Sequence, residues 1–373
     1  MQEKKGVFAK YIKGDSADET AALLAVASLF LPYIISAIVL IIVIARALIL
    51  KESRQKIFAG KDAKIVLVFM LFNAAAPIYY KNYLGIACFL GISAILFFGL
   101  FLRSVMTERL FYRISDAAAY MSMLSAVAAS FIKAPEHDMR SPSFFFNPNY
   151  YGAMITFVII LCAYRIISKQ GNLFFLLATI AVNIYGLLMA DCQSAFFSIA
   201  FGIWLLLLFK KCYKSFAVVS ALAVLGIVFL PHLTFIMPRI SGALENIMKR
   251  ADIWNAGFSA FLETPFFGRG LMAYKQIGVE FGGPYNNHCH NIFIDMLLSF
   301  GAIGSVPLLI FVVRNILEIK GKKIMPLILS LLGATLLHGL VDVTLIWIQT
   351  GAFALFLLSA PYMQDETIKD NNE

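Results

Sequence analysis

Apolar residues run in long stretches along most of this chain, broken by short polar clusters. A helix needs about 20 apolar residues to cross a bilayer, with roughly 17–25 allowed. Runs that meet this test lie near 22–49, 64–80, 83–102, 113–132, 150–167, 172–190, 193–209, 215–230, 292–315, 324–345 and 346–362. The last two are nearly contiguous, so the pattern predicts about 10–12 transmembrane helices. One polar stretch, 231–291, is too long for a connector, since loops beyond roughly 12–15 residues usually carry structure or function. Within it, Leu244, Ile247, Met248, Ala251, Trp254, Phe258, Phe261 and Leu262 recur at helical spacing between Ser241 and Glu263. That periodicity predicts an amphipathic helix on the membrane surface or over the bundle, ended by Pro265. Gly268 and Gly270 in the following PFFGRG allow a tight turn.

The expected fold is an all-α integral membrane protein. It divides into a polar N-terminal tail (1–21), a first transmembrane bundle (22–230), an extracytoplasmic loop with an amphipathic helix (231–291), C-terminal transmembrane helices (292–362) and a polar tail (363–373). Composition agrees: 60% of the 373 residues are hydrophobic, 14% are charged, and the mean hydropathy is +0.81. A soluble domain is nearer half apolar and a quarter charged. The net charge of +9 reads as basic cytoplasmic loops rather than a nucleic-acid surface, because no basic stretch is interleaved with aromatics for base stacking. The five cysteines include no CxxC, so neither a disulfide framework nor a zinc ribbon is expected.

Lysine and arginine crowd five connections: around Lys51–Lys64, Arg103–Arg113, Arg165–Lys169, Lys210–Lys214 and Arg314–Lys323. Alternating spans put all five on one side, the cytoplasmic one by the positive-inside rule. The loop 133–149, the Asp191–Cys192 turn and the long 231–291 segment then share the other side. One feature resists this topology. Eleven spans with a cytoplasmic C-terminus leave the N-terminus outside, yet it carries Lys4, Lys5, Lys10 and Lys13. Either one span is miscounted, or the first segment is half-buried or re-entrant.

The candidate chemistry falls on the outer side. Arg250 lies on the amphipathic helix, either snorkelling or paired with Asp252 or Glu245, or serving as a fork for phosphate oxygens. Lys249, Arg239 and Arg269 could add to the same anion-binding surface. His288 and His290 bracket Cys289. Their spacing is not the i, i+4 of a helical metal pair; the readings are a metal site, helix capping with Asn291, or proton transfer and acceptor positioning. Asp295 follows one turn after Asn291. His338 and Asp342 stand i, i+4 in a later span and share a helix face, as a self-satisfied buried pair or as part of the site. Gln193 and Ser194 lie in a polar turn between spans, and Asn149 in FNPNYYG is a plausible N-cap.

Taken in order, FNPNYYG, DCQSAFFSIAFG, KRADIWNAGFSAFLETPFFGRG and HCHNIFIDMLLSFGAIG resemble the O-antigen ligase/polymerase family of bacterial polytopic membrane proteins. The resemblance covers roughly 140–315, the HN–apolar–GxxG pattern (His290, Asn291, Gly301, Gly304) is its most specific piece, and the later His338 and Asp342 also fit. It implies a glycosyltransferase of the cytoplasmic (inner) membrane with its site on the extracytoplasmic face. Such an enzyme moves a glycan from a polyprenyl-diphosphate carrier to the hydroxyl of a glycan or lipid acceptor, in surface-polysaccharide synthesis. It implies direct displacement with inversion, no metal and no cofactor. It places His290 as base or acceptor-positioning residue and Arg250 on the diphosphate. His288, Asn291, Gln193, Arg239, Arg269, Asn149, His338 and Asp342 are the candidate substrate-binding residues. The chain departs from the pattern at Gln193, where the family commonly has arginine. A neutral amide donates hydrogen bonds without supplying charge. A transporter or flippase for the same lipid-linked glycan, or a non-catalytic family member, is the competing expectation. No internal repeat of the transporter kind is present.

Overall fold

The computed structural model describes residues 17–229 and 242–363. Among them the chain is helical, with one isolated antiparallel bridge between Ala134 and Arg140. The helices are α1 (Ala17–Ser28), α2 (Tyr33–Ile49), α3 (Lys51–Ala59), α4 (Lys61–Tyr79), α5 (Tyr83–Val105), α6 (Glu108–Ala128), α7 (Pro148–Ile167), α8 (Leu173–Ala190), α9 (Gln193–Phe209), α10 (Tyr213–Phe229), α11 (Ala243–Glu263), α12 (Ala273–Ile277), α13 (Ile292–Glu318), α14 (Met325–Gly339) and α15 (Ile348–Leu357). Five of them, α4, α5, α7, α8 and α13, are long and apolar enough to cross a membrane. Four shorter apolar helices accompany them. The chain is an all-α integral membrane protein.

Polar residues at the helix starts do the work expected of caps. The side chains of Asn82, Thr107, Asn147, Asn172 and Asn291 each accept a backbone N–H from the first turn of α5, α6, α7, α8 and α13. In FNPNYYG the cap is Asn147, not the expected Asn149. Pro148 occupies the first helical position, where its missing N–H costs nothing. Asn149 is thereby left for other contacts. The central helix is α7, with 83% of its apolar window buried. It packs against α8, α9 and α14, while α4 packs on α13 and α5 on α15.

The first apolar stretch, expected as one span over 22–49, is two helices broken at Pro32. Asp18 at the start of α1 pairs with Arg46 near the end of α2, and Ser53 Oγ donates to the same carboxylate over 2.8 Å. Arg109, at the start of α6, reaches Glu19. Both ends of the α1–α2 segment therefore lie at the end of the bundle that carries the basic connections. The stretch enters and returns, which removes the topological conflict raised by the N-terminal lysines.

At that same end, Arg103 donates to Asp62 over 2.5 Å and to Asn315 over 2.8 Å, and Arg314 reaches Asp62 over 2.9 Å. The Arg103 guanidinium also lies over the rings of Phe311 and Tyr362. This cluster ties α4, α5 and α13 together inside the bundle.

Helix α13 is broken at Gly301, whose φ of 66° and ψ of −180° only glycine adopts readily. The segment 264–270 fills the break. Ala302 N–H donates to Pro265 O and Ile303 N–H to Phe266 O, while Arg269 and Gly270 N–H donate to Leu298 and Ser299 O, all within 2.7–2.9 Å. In lipid, every backbone polar group needs a partner within the protein, and here the loop supplies those the kink frees. The PFFGRG turn is thus a clasp in a broken helix. A Cβ on Gly301 would stand 2.3 Å from the Phe266 backbone, and one on Gly304 would stand 2.4 Å from Asn73 Oδ1. Both glycines of the GxxG pattern are thereby accounted for by close approach.

Candidate active site

At the opposite end of the bundle, the loop before α7, the turn before α9, helix α11, the loop before α13 and the connection after α14 bring their polar residues together. The sequence HCHN dictates the local geometry. Asn291 is extended and caps α13, accepting from Phe293 and Ile294 N–H, while His290 just before it is in the left-handed region at φ 47°. A non-glycine residue there costs on the order of 1 kcal/mol. The conformation is held by the His290 N–H, which donates to His288 Nδ1 over 3.2 Å, and by Trp254 Nε1 of α11, which donates to His290 O over 3.3 Å.

The centre of the cluster is Asp342, whose side chain is 3% exposed. Asp342 and His338 were expected on one helix face as a possible pair. The helix proper ends at Gly339, but Asp342 N–H still donates to His338 O over 3.1 Å, and the two side chains bond to different partners. His338 Nε2 meets Ser194 Oγ at 3.0 Å. Asp342 turns towards the loop before α13: its Oδ1 lies 3.2 Å from His290 Nδ1 and 3.7 Å from His288 Nε2, and accepts the Val343 N–H over 2.8 Å. Its Oδ2 accepts from Asn149 Nδ2. N–H donors converging on a carboxylate favour its ionised form.

This geometry fixes the histidine tautomers. In the neutral ring, His290 Nδ1, which faces the carboxylate, carries the proton and Nε2 presents a lone pair. The ring is 21% exposed, which leaves that edge accessible. His288 differs. Burial pushes its imidazole below the ordinary value, with Asp342 opposing and the neighbouring His290 and Arg250 adding to the depression. It is neutral at pH 7, and its Nδ1 accepts a backbone N–H, so its proton sits on Nε2. His288, His290 and Asp342 do bring ligand atoms within 4.8 Å of one another. Metal ligation through His288 Nε2 would require that nitrogen to lose its proton and the Nδ1 hydrogen bond to break.

Arg250 of α11 acts electrostatically on His288. Glu245 pairs with Lys249 over 2.7 Å on the exposed face of α11 and so is taken by that residue. Gln193 opens α9 with its Nε2 buried and without a hydrogen-bond partner among the described residues. Asn291 Nδ2 donates to Leu340 O over 3.2 Å, linking the start of α13 to the connection that carries Asp342. Asp295 accepts the Cys289 N–H over 3.0 Å and so supports the loop from below. Arg269 has a different setting: its guanidinium lies over the Tyr80 ring, and its carbonyl accepts from Asn82. Arg239 lies outside the described residues.

Sequence reasoning missed two participants. Trp254 looks like any apolar position of α11. Arg140 donates through Nη2 to Asn149 Oδ1 over 2.7 Å and through Nε to Ala190 O over 2.8 Å. Its signal was available, because it is an arginine far from the five basic connections, the same oddity that singles out Arg250.

Residues 178–309 match the model of the O-antigen ligase family. The match runs from α8 into α13 and contains Gln193, Arg250, His288, His290 and Asn291. Asn149, His338 and Asp342 lie outside it. No curated protein matches the chain. Residues 178–309 thus carry an O-antigen ligase domain within an all-α integral membrane protein.

Proposed function

We propose that this member of the O-antigen ligase/polymerase family is a glycosyltransferase of the cytoplasmic membrane. It transfers or polymerises a polyprenyl-diphosphate-linked oligosaccharide onto an acceptor hydroxyl at the extracytoplasmic face. The observation that carries the reading is the His290–Asp342 pair. A partly exposed imidazole with its Nδ1 proton anchored on a buried carboxylate and its Nε2 open is a general base in waiting.

In this reading His290 Nε2 takes the proton of the acceptor hydroxyl as its oxygen attacks the anomeric carbon. The new C–O bond forms as the bond to the diphosphate breaks on the far side, so the configuration inverts. Polyprenyl diphosphate leaves with the bonding pair and needs no protonation, since it is already a good leaving group. Its charge is met by Arg250, whose fork suits phosphate oxygens, with the unpartnered Gln193 amide as a neutral donor. His288, neutral, maintains the loop. No step calls for a metal.

Room for the carrier's chain supports the substrate class. An apolar cavity of about 260 Å³ lies between α4, α5, α13 and α15. It runs from Ile292 and Leu271 near the histidine loop towards Phe311 and Leu358, with Asp295 and Ser299 as its polar lining. A narrow apolar space along α13 suits a prenyl chain.

The test is glycan length in cells lacking the native protein and complemented with wild type, His290→Ala or Arg250→Ala at matched membrane levels. A lost general base costs typically about 10²–10⁴-fold in rate. Single repeat units accumulating on the carrier would identify a polymerase. Long carrier-linked glycan that never reaches its acceptor would identify a ligase. Normal glycan with both variants would remove these residues from the chemistry.

A further inference from the structure

We infer that Arg140 is a positioning residue for the base: through Asn149 it fixes the carboxylate of Asp342, and so the ring of His290. The inference rests on His290 acting as the base. The relay consists of three contacts from three separate segments. Arg140 Nη2 donates to Asn149 Oδ1 over 2.7 Å, Asn149 Nδ2 donates to Asp342 Oδ2, and Asp342 Oδ1 lies 3.2 Å from His290 Nδ1.

The chemistry of an amide makes the order directional. Asn149 has one oxygen that accepts and one nitrogen that donates. A guanidinium only donates, so beside Arg140 the asparagine must turn its oxygen to the arginine. Its NH₂ is then forced towards Asp342, which as a carboxylate only accepts. With Oδ2 occupied by Asn149, the other oxygen is left for the Val343 N–H and for His290. If the amide turned over, oxygen would face oxygen at Asp342, and the carboxylate would lose one hydrogen bond and gain a repulsion. Arg140 is itself fixed by the Ala190 carbonyl at the end of α8, so the relay is anchored to a helix terminus rather than a free loop.

This assignment also explains the second asparagine of FNPNYYG. Asn147 alone caps α7. Asn149 is turned away from capping by one residue of helix and carries the link between the loop before α7 and the connection after α14.

The test uses the full-length enzyme in lipid nanodiscs with its lipid-linked oligosaccharide donor. It compares wild type, Arg140→Met, Arg140→Lys, Asn149→Leu, the Arg140→Met/Asn149→Leu double variant and His290→Ala. Losing an outer-shell partner costs about 10–100-fold, and the loss here is expected in kcat with KM for the donor unchanged. Arg140→Lys, which can still donate to Oδ1, is expected to recover part of it. The double variant should lose no more than Asn149→Leu alone, because Arg140 acts through Asn149. Removing a donor from the carboxylate favours protonation of the dyad, so the acid limb of kcat/KM should move about one unit to higher pH. The other charged or titratable groups around the dyad are His288, Asp295, His338, Arg250, Tyr150 and Cys192, and none of them is altered by these variants. Additive losses, a raised KM or an unmoved acid limb in folded Arg140→Met would overturn the inference while His290→Ala remains inactive. Full activity of His290→Ala would instead overturn the reading of His290 as the base, on which the inference rests.

Discussion

Asp342 is the residue on which the candidate site turns. It is buried, its contacts come from N–H donors, and it faces His290, whose second nitrogen is open. Asp342→Asn preserves shape and removes the charge. Its amide can present NH₂ to His290 and push the imidazole into the other tautomer, with the proton on the nitrogen that should accept. In the serine-protease triad the same exchange costs about 10⁴-fold in kcat. A drop of about 10²–10⁴-fold is expected here, measured as single-turnover glycan transfer at matched protein. Full activity would show that His290 does not depend on its carboxylate. The candidate residues themselves were legible in the sequence, because ionisable side chains in or beside apolar spans stand out. Their pairing was not. Asp342 and His338 do stand one turn apart, joined by a backbone bond, but partners from distant segments, Ser194 and His290, take their side chains, and sequence spacing does not show those. Arg140 went unread because its role is borrowed from Asn149, which itself looked like a cap.

At the scale of elements, hydropathy located the long helices well, since twenty apolar residues in lipid have few alternatives to a helix. It could not see breaks. A composition window passes over Pro32 and Gly301 alike, yet one turns a span into a re-entrant pair and the other opens α13 to a clasp from 264–270. Gly301→Ala tests the second. The new methyl would have to stand in a glycine-only backbone region and 2.3 Å from the Phe266 backbone. Such strain costs on the order of 1–3 kcal/mol before the clash is counted. The purified variant is expected to melt well below wild type by tryptophan fluorescence. An unchanged melting temperature would mean that the clasp contributes little.

For the whole molecule, the described residues sort into two polar ends joined by apolar helices. One holds the Asp62–Arg103–Arg314 cluster and the ends of the α1–α2 pair, and the other holds the histidine loop. Removing one partner from a buried ion cluster is costly because the rest stay charged, so the first end is built to remain closed. The re-entrant pair makes a topological prediction. Single cysteines placed at Ala17 and at Lys51, in a cysteine-free background, should react with an impermeant maleimide from the same side of sealed vesicles. A cysteine at Glu280 should react from the other side. Labelling of Ala17 and Lys51 from opposite sides would restore a spanning first helix.

The clasp in α13 also bears on the order in which the protein can be made. Residues 264–270 leave the ribosome before the helix they complete. They pair with it about nine residues below its start, roughly 14 Å down from the histidine loop. If α13 entered the bilayer first, the backbone groups freed at Gly301 would meet lipid without partners, at several kcal/mol each. The cheaper history has the long loop translocated and waiting, so that the helix docks onto it during insertion. His290 then reaches Asp342 only after α14 has followed. Biogenesis would thus deliver a chain without its His290–Asp342 pair until the last helices arrive, and the proposed base would be assembled as one of the final events of folding.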